Sequence, residues 1–304
     1  MNSRSVSVIV PFYNRHDFFE RLMDGITNQT LRPQTIYIID NGSDPDQISK
    51  CFDSLNKNPP SEIDVVFLST IQRGNANYAR NLGLDLADTK YIAYLDSDDW
   101  WERHHLENSI STLEKSNKSG IYSGSIIHSH GTSINHSADV TCLGSPFKLL
   151  FSEKKFTAQT SSYVLDKSTL SENIRWDERL KRHQDYDFFI NIFYNSNGWA
   201  FLSRPTSNLD WQSGGTKGKL DYKSMIVFLK KWEPRFDQKE LSIYIYRQLI
   251  SCAERKSHQR YFNYYRLKFI RLNKNSFLDK AKSSKCVIHI RNNLARLIKK
   301  IIKR

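Results

Sequence analysis

Residues 5–14 read SVSVIVPFYN, a short apolar run that meets a proline and continues into polar residues. β-branched residues favour a buried strand, and the run is far shorter than the roughly 20 residues that cross a membrane. Three similar runs follow within the first hundred residues, separated by stretches whose apolar residues recur at helical spacing. The predicted strands are Ser5–Pro11, Thr35–Asp40, Ile63–Ser69 and Tyr91–Leu95, and the predicted helices are Asp17–Asn28, Asp46–Leu55, Asn75–Ala87 and Glu102–Glu114. This alternation predicts a doubly wound α/β domain with a parallel sheet.

The rest of the chain is less regular. Gly120–Ser129 is predicted to form one more strand, residues 131–145 a loop and Asp185–Tyr194 a helix. After Lys217 the pattern becomes helical and basic. We therefore predict an α/β domain over residues 1–216 and a basic helical region with an amphipathic tail over residues 217–304.

The formal net charge of +13 is unevenly distributed along the 304 residues. Residues 221–304 hold 22 Lys and Arg against 6 Asp and Glu, which gives +16, whereas residues 1–220 hold 23 against 26, which gives −3. The positive charge is therefore a property of the C-terminal region, and its role is considered separately from that of the α/β domain.

The cysteines and the first residues indicate a cellular compartment. The four cysteines include no Cys-x-x-Cys pair, which argues against a disulfide framework or a structural zinc site. The apolar run at residues 6–12 has the features of neither a secretory signal nor a membrane span. We expect a cytoplasmic protein with reduced thiols.

Polar loops follow all four predicted strands at their carboxyl ends, which is where ligands bind in an open parallel sheet. These loops are Pro11–Asn14, Asp40–Asp44, Gln72–Asn75 and Asp96–Asp99. Each of them alone could be an ordinary turn or helix cap, because Asp, Asn, Gly and Ser are common turn residues. Together they favour a binding site.

The last of these loops, Asp96-Ser97-Asp98-Asp99, places three carboxylates within four residues. Like charges at this spacing raise one another's proton affinity unless a cation compensates them. Oxygen ligands suit Mg²⁺ or Mn²⁺, which bind through one or two carboxylates together with substrate phosphates. The loop therefore suggests a diphosphate ligand, and a solvated acidic turn is the alternative interpretation.

With these motifs in place, the sequence resembles glycosyltransferase family 2, whose members have the GT-A fold. The resemblance covers residues 5–215 and rests on VIVPFYN at 8–14, IDNGSD at 39–44, Gly74 with NYARNLG at 77–83, and YLDSDD at 94–99. It implies a Rossmann-like, mostly parallel sheet flanked by helices. It also implies transfer of a sugar from a nucleotide-activated donor, with UDP favoured as the nucleotide.

The resemblance further implies roles for individual residues. Those that would bind the donor are Pro11, Tyr13, Asn14, Asp40, Arg73, Asn77, Arg80, Asp96 and Ser97. Asp40 would accept a hydrogen bond from a base N–H. Asp96-Ser97-Asp98 is similar to the family's DxD motif, with Asp98 as the direct metal ligand and Asp96 also at the metal, closer to the ribose or sugar. The metal, Mn²⁺ or Mg²⁺, would neutralise charge on the departing diphosphate.

Asp185 is the candidate general base, which would take a proton from the acceptor hydroxyl in an inverting transfer. Family members usually have Glu-Asp here, whereas this chain has Gln184 before Asp185. Asp185 could instead be only a first-turn acid that favours the helix dipole. Asp187 is a weaker candidate because it points to another helix face, and His183 is a third because an unperturbed imidazole titrates near neutrality.

A metal-binding histidine that many relatives carry is missing from the corresponding segment, which reads LDWQSGG at 209–215. Either Gln212 or Asp210 replaces it, or Asp98, the diphosphate and water hold the metal. The Gln/Arg-x-x-Arg-Trp signature of processive synthases is also absent, so a single-addition enzyme is expected.

Residues 285–304 combine an apolar stripe at helical spacing with seven Lys and Arg and no acidic residue. This pattern is typical of a helix on an anionic membrane surface. The alternative is a helix that packs its stripe on the protein's own core. We find no recognised nucleic-acid-binding fold and expect no nucleic-acid partner.

These observations predict a metal-dependent, inverting glycosyltransferase. It would add one sugar to a lipid-linked cell-surface glycan, such as a lipopolysaccharide, O-antigen or capsule, at the inner face of the cell membrane. The alternative from another class is a catalytically silent module that binds nucleotide sugars or membranes.

Overall fold

The computed structural model describes residues 4–71, 75–150, 158–212, 221–253 and 259–273. The chain divides into two compact units, Met1–Phe228 and Leu229–Arg304. Within the described ranges, no helix combines the length and the apolar character needed to cross a membrane.

The first unit begins with alternating strands and helices that form a parallel sheet. In chain order they are β1 (Val6–Phe12), α1 (Phe19–Thr27), β2 (Thr35–Asp40), α2 (Pro45–Lys57), β3 (Asp64–Ser69), α3 (Ala76–Leu86) and β4 (Tyr91–Tyr94). β1 pairs in parallel with β2 and with β4, and β2 pairs in parallel with β3. Every residue of β1 and β2 is buried, as expected of strands covered on both faces. The strand order reverses between β1 and β4, which is the position where open α/β sheets bind ligands.

The rest of the first unit extends the sheet with mixed pairing. Its elements are β5 (Trp100–Trp101), α4 (His105–Ser116), β6 (Gly120–Ser129), β7 (Thr132–His136), β8 (Val164–Asp166), α5 (Gln184–Asn195) and β9 (Trp199–Asp210). β8 is antiparallel to both β4 and β6, and β9 is parallel to β6 but antiparallel to β5. Across the described strands the order is β3-β2-β1-β4-β8-β6-β9-β5, with β7 beside β6.

The α/β class and the first four strands are confirmed, with strand boundaries within one residue of the prediction. The expected mostly parallel sheet is also confirmed, and β8 enters it antiparallel between β4 and β6. One expectation is wrong. Residues 131–145 are not all loop: β7 forms a hairpin with β6 across His130 and Gly131, whose φ values of 46° and 75° suit a two-residue turn.

Helices cover both faces of the sheet and form two apolar cores. Val8 and Val10 of β1 face the core that contains α1, whereas Ile9 faces the core that contains residues of α3 and α5. α3 lies directly on β1, since a Cβ at Gly83 would be 2.5 Å from Ile9 Cγ2. A glycine at this position therefore lets α3 approach the strand whose end forms the candidate site.

The second unit is helical and basic. α6 (Tyr222–Trp232) contains the boundary between the units, and α7 (Gln238–Ala253) and α8 (Gln259–Leu272) follow it. α8 has no acidic residue and buries Phe262, Tyr265 and Phe269. Its exposed positions include Arg260, Arg266, Leu267 and Arg271. The amphipathic helix predicted over residues 285–304 lies outside the described residues.

Candidate functional site

A cavity of about 500 Å³ opens at the carboxyl ends of β1 and β4. Of the predicted site residues, those that line it are Pro11, Tyr13, Asn14, Arg80, Asp96, Ser97 and Asp98. Gln184, at the start of α5, lines the same cavity. The loops after β1 and β4 and the N-terminal part of α5 therefore meet at one place.

Asn14 joins the loops that follow β1 and β2. Its side-chain oxygen accepts a hydrogen bond from Asp44 N (2.8 Å), and its amide group donates to Asp44 Oδ2 (3.0 Å). Its backbone N–H donates to Ser43 Oγ (2.8 Å). Asn14 has a φ of 48°, a left-handed conformation that asparagine adopts more readily than most residues. These bonds fix the loop that presents Tyr13, whose residue surface is 43% exposed, at the cavity.

Asp40 is fully buried and shapes the loop after β2. Its carboxylate accepts hydrogen bonds from the backbone N–H of Gly42 (3.1 Å) and of Ser43 (3.0 Å), and also from the Ser43 hydroxyl. Both of its oxygens thus have partners inside the loop. The contact of Asp40 with a nucleobase stays a prediction.

α3 brings Arg80 to the acidic loop. Asn75 caps this helix, because its side-chain oxygen accepts from the backbone N–H groups of Asn77 (3.2 Å) and Tyr78 (3.3 Å). Arg80 is 1% exposed, and its Nη2 donates to Asp96 Oδ1 at 2.6 Å. This charge-assisted bond fixes the Asp96 carboxylate at the edge of the cavity.

Asn77 is fully buried and connects α3 to the segment that precedes α5. Its amide group donates to the carbonyl oxygens of Asp177 (2.8 Å) and Leu180 (2.9 Å), and its oxygen accepts from Arg80 Nη1 (3.0 Å). The predicted contact of Asn77 with the nucleotide stays a prediction. Arg73, the other residue predicted on this side, lies outside the described residues.

The three carboxylates of the acidic loop have different environments. Asp96 pairs with Arg80, and Asp98 lines the cavity with Oδ2 3.8 Å from Arg15 Nη2. Asp99 points into the protein, where it accepts from the Ser161 hydroxyl (2.6 Å) and from a backbone N–H. Burial, and then the charges of Asp98 and Asp96, raise the pKa of Asp99 well above its usual range. Asp96 and Asp98 are thus the acids of this loop that face the cavity.

The residues at the cavity suit a divalent cation only in combination with a substrate. Within the ranges that the structure describes, no cluster of three or more His, Cys, Asp or Glu side chains is arranged to hold a metal. Asp210, a possible replacement for the missing histidine, accepts from Arg21 Nη2 (3.0 Å) and from the backbone N–H of Gln212 (2.8 Å). Asp96 and Asp98 offer carboxylate oxygens at the cavity, which are the ligands that Mg²⁺ or Mn²⁺ prefers, and such ions complete their coordination with water or phosphate.

Asp185 lies half-buried in the first turn of α5, next to Gln184 at the cavity. Burial raises the pKa of Asp185, and the backbone N–H groups of Tyr186 and Asp185 oppose this rise in part. A raised pKa brings a carboxylate closer to the range in which it can accept a proton during catalysis.

The two alternatives to Asp185 are placed less favourably. Asp187 is fully buried. Burial, together with the charge of Arg182, lowers the pKa of His183 to about 3. His183 is a candidate only as an unperturbed imidazole, whereas here its ring packs against Tyr186 and Phe228, with centroids 5.5 and 5.1 Å away.

Several residues that the sequence did not single out contribute to the site. Arg15, Asn41 and Ala76 line the cavity beside the predicted residues. Arg21 of α1 donates to the carbonyl oxygen of Asp98 (2.8 Å), and its guanidinium lies 4.1 Å from the ring centroid of Trp100. Arg15 directly follows the predicted site loop Pro11–Asn14, so its position in the sequence could have identified it as a site residue. Arg21 lies on the polar face of an amphipathic helix, where a solvated arginine is the ordinary expectation.

Comparisons with known proteins agree with this architecture. The chain matches the family model described as "Glycosyl transferase family 2" over residues 7–205. "Amylovoran biosynthesis glycosyltransferase AmsB" from Erwinia amylovora is 29% identical over 215 residues, which are 68% of this chain and 70% of that protein. "UDP-Glc:alpha-D-GlcNAc-diphosphoundecaprenol beta-1,3-glucosyltransferase WfaP" from Escherichia coli is 34% identical over 109 residues, covering 36% of this chain and 41% of that protein.

A solved structure has a similar fold. The crystal structure of S. aureus TarS 1-349 in complex with UDP-GlcNAc matches with a TM-score of 0.68 and 17% identity, covering 88% of this chain and 81% of that chain. The fold expected from the sequence is thereby confirmed.

Proposed function

Because this chain belongs to glycosyltransferase family 2, we propose that it moves one sugar from a nucleotide-diphosphate sugar to a hydroxyl of a glycan acceptor, with inversion at the transferred carbon. The main support for this proposal is the set of residues that line the cavity. Asp96 and Asp98 face it from the end of β4, and Gln184, the neighbour of Asp185, faces it from the start of α5. The acids suited to binding a donor diphosphate therefore lie at the same cavity as the start of α5. That helix carries Asp185, whose carboxylate is suited to activating the acceptor.

The proposed donor is a UDP-sugar that binds with its nucleotide along the loop after β1. TarS 1-349 is described in complex with UDP-GlcNAc, and the name of WfaP specifies UDP-Glc as its donor. Tyr13 offers an exposed ring, and Pro11 and Asn14 line the cavity beside it. The proposed contacts of Asp40, Asn77 and Arg73 with the nucleotide belong to the same hypothesis.

The chain's own residues divide the chemistry between them. A divalent cation held by Asp98, with Asp96 beside it, would supply Lewis-acid stabilisation of the diphosphate. Arg80 compensates the charge of Asp96 and keeps its carboxylate oriented, and Ser97 lies between the two acids in the cavity wall. Asp185 accepts the proton of the acceptor hydroxyl as the oxygen bonds to the sugar and the bond to the diphosphate breaks.

The acceptor is proposed to be a lipid-linked cell-surface glycan, reached from the inner face of the membrane. The name of AmsB describes amylovoran biosynthesis, and that of WfaP describes a diphosphoundecaprenol-linked acceptor. In the described part of the second unit, residues 229–253 and 259–273 contain nine Lys and Arg against three acidic residues. This surplus of positive charge suits an anionic bilayer surface.

Donor binding and turnover test the proposed function together. The protein is screened with nucleotide sugars in the presence of Mn²⁺, and a donor present at 100 times its Kd should stabilise the fold by about 2.7 kcal/mol. The same donor should then release nucleoside diphosphate, slowly with water and faster with a lipid-linked glycan. If a nucleotide sugar binds but no acceptor gives turnover, the protein is the silent binding module rather than an enzyme.

Removal of residues 285–304 is expected to weaken membrane binding without abolishing donor binding. Each basic residue near anionic headgroups contributes about 1 kcal/mol, and this segment holds seven. Co-sedimentation with vesicles containing phosphatidylglycerol measures the loss, and vesicles of phosphatidylcholine alone provide the control. Equal sedimentation of the full-length and shortened chains would contradict this part of the proposal, and binding to DNA instead would favour a nucleic-acid function.

A further inference from the structure

Trp176 is a buried tryptophan that contacts both sides of the proposed site. It is 1% exposed and lies in the segment before α5. Its ring centroid is 4.5 Å from the guanidinium carbon of Arg80 and 3.9 Å from the ring centroid of Phe188. The rings of Trp176 and Phe188 are parallel to within 4°.

On the donor side, Trp176 acts on Asp96 through Arg80. The Arg80 guanidinium donates to Asp96 and to Asn77, so its orientation decides where the Asp96 carboxylate lies. A guanidinium packed on an indole ring gains cation–π attraction in addition to apolar contact. Trp176 therefore restricts Arg80 to the arrangement that presents Asp96 at the cavity.

On the acceptor side, Trp176 acts on α5 through Phe188. Phe188 follows Asp185 by three residues, which places the two side chains on neighbouring positions of one helix face. Tyr94 at the end of β4 packs edge-on against both rings, at 5.3 Å from Trp176 and 5.8 Å from Phe188. Trp176, Tyr94 and Phe188 thus form one aromatic cluster that joins β4 and the segment before α5 to the helix that carries Asp185.

The backbone of Trp176 is itself attached to α3. Trp176 N donates to Asn81 Oδ1 (2.9 Å), and Asn81 Nδ2 donates to the carbonyl oxygen of Trp176 (2.9 Å). Asn81 follows Arg80 on the same helix. One residue is therefore hydrogen-bonded to the helix that carries Arg80 and stacked on the helix that carries Asp185.

We propose that Trp176 is a positioning residue for the transfer reaction, which holds Asp185 at a fixed distance and direction from Asp96 and the bound donor. This inference rests on the proposed function, in which Asp185 is the base. A displacement of about 1 Å in a reacting group can cost about 100-fold in rate, so the stack affects turnover more than donor affinity.

The test compares Trp176→Leu with Trp176→Phe in the full-length protein. Trp176→Leu should lower kcat by about 10-fold to 100-fold and change the donor Kd by less than about threefold. Trp176→Phe keeps an aromatic plane between Arg80 and α5 and should recover most of the loss. In an Asp185→Asn background, Trp176→Leu should lower the residual rate by less than about threefold, because the base it positions is already missing.

Trp199 provides a matched control. It is 3% exposed, and its ring stacks on Phe189 of the same helix with centroids 4.8 Å apart and planes within 6°. The ring contacts described for Trp199 do not include Arg80. Trp199→Leu should lower the melting temperature about as much as Trp176→Leu but change kcat by less than about threefold.

The outcomes separate this inference from the function on which it rests. A similar loss of kcat in Trp199→Leu would show that ordinary packing explains the effect. An equal loss from Trp176→Leu with and without Asp185 would show that Trp176 does not act through Asp185. Either result overturns the inference. If Trp176→Leu does not fold, Phe188→Leu removes the same stack from α5, and an unchanged kcat in that variant overturns it as well. A wild-type protein inactive with every nucleotide sugar would instead refute the proposed function.

Discussion

Replacing Asp185 with asparagine is expected to lower kcat about 1,000-fold, which lies within the range that a general base contributes. Asparagine has nearly the same shape but cannot accept the proton of the acceptor hydroxyl. Donor affinity should stay within about twofold of the wild-type value, because catalysis rather than ground-state binding loses the interaction. Steady-state transfer rates and calorimetric titration with the donor measure the two effects separately.

The variant Asp187→Asn distinguishes Asp185 from its neighbour. Asp187 is fully buried, so its replacement should reduce stability while the remaining folded protein keeps its turnover. If transfer persists in Asp185→Asn but stops in folded Asp187→Asn, Asp187 rather than Asp185 is the general base. Transfer that survives both replacements would leave only a helix-dipole role for Asp185.

The pH dependence of kcat provides an independent test of Asp185. Burial raises the pKa of this carboxyl above its ordinary value of 3.8, and only the deprotonated form can act as a base. Turnover should therefore fall as the pH drops through this raised pKa, at a higher pH than for an exposed aspartate. Gln184→Glu adds a like charge next to Asp185 and should move the acidic limb to still higher pH. A limb that does not respond to Gln184→Glu would belong to another group.

The first half of the fold was predictable because its signals are local. β1 and β2 are buried on both faces, and this environment selects continuous runs of β-branched residues that periodicity detects. The acidic loop was predictable for a similar reason, since four polar residues directly after a buried strand mark a strand end. The antiparallel strand β8 has only three residues and lies between partners far away in the sequence, so no local pattern revealed it.

The polar residues of the site were harder to assign because their partners are distant in sequence. Asn77 lies within a family motif, which suggested contact with the donor. Its amide group donates to the carbonyl oxygens of Asp177 and Leu180, a hundred residues later in a segment with no regular secondary structure, and its contact with the donor stays a prediction. A motif states which residue types occur together, whereas the side chain's partner depends on how the whole chain folds.

Asp98→Ala is expected to lower kcat/KM by about 100-fold to 1,000-fold, the cost of removing one group that stabilises transition-state charge. Wild-type activity should disappear with EDTA and return with Mn²⁺, whereas the variant should stay inactive at the same metal concentration. Asp53→Ala is the matched control, because Asp53 is an exposed acid on α2 away from the cavity. An Asp98→Ala protein as active as its parent would contradict the proposed metal site.

The melting temperature separates Asp98 from Asp96, which is the other acid at the cavity. Asp96→Ala leaves the buried guanidinium of Arg80 without its carboxylate at 2.6 Å, and breaking a buried pair on one side is strongly destabilising. Asp98 lies 3.8 Å from Arg15, whose side chain is 22% exposed and can regain water. Asp98→Ala should therefore lose activity with little change in melting temperature, whereas Asp96→Ala should lose both. If both variants lose stability equally, the two acids serve mainly the structure of the loop, and the metal ligand must be sought elsewhere.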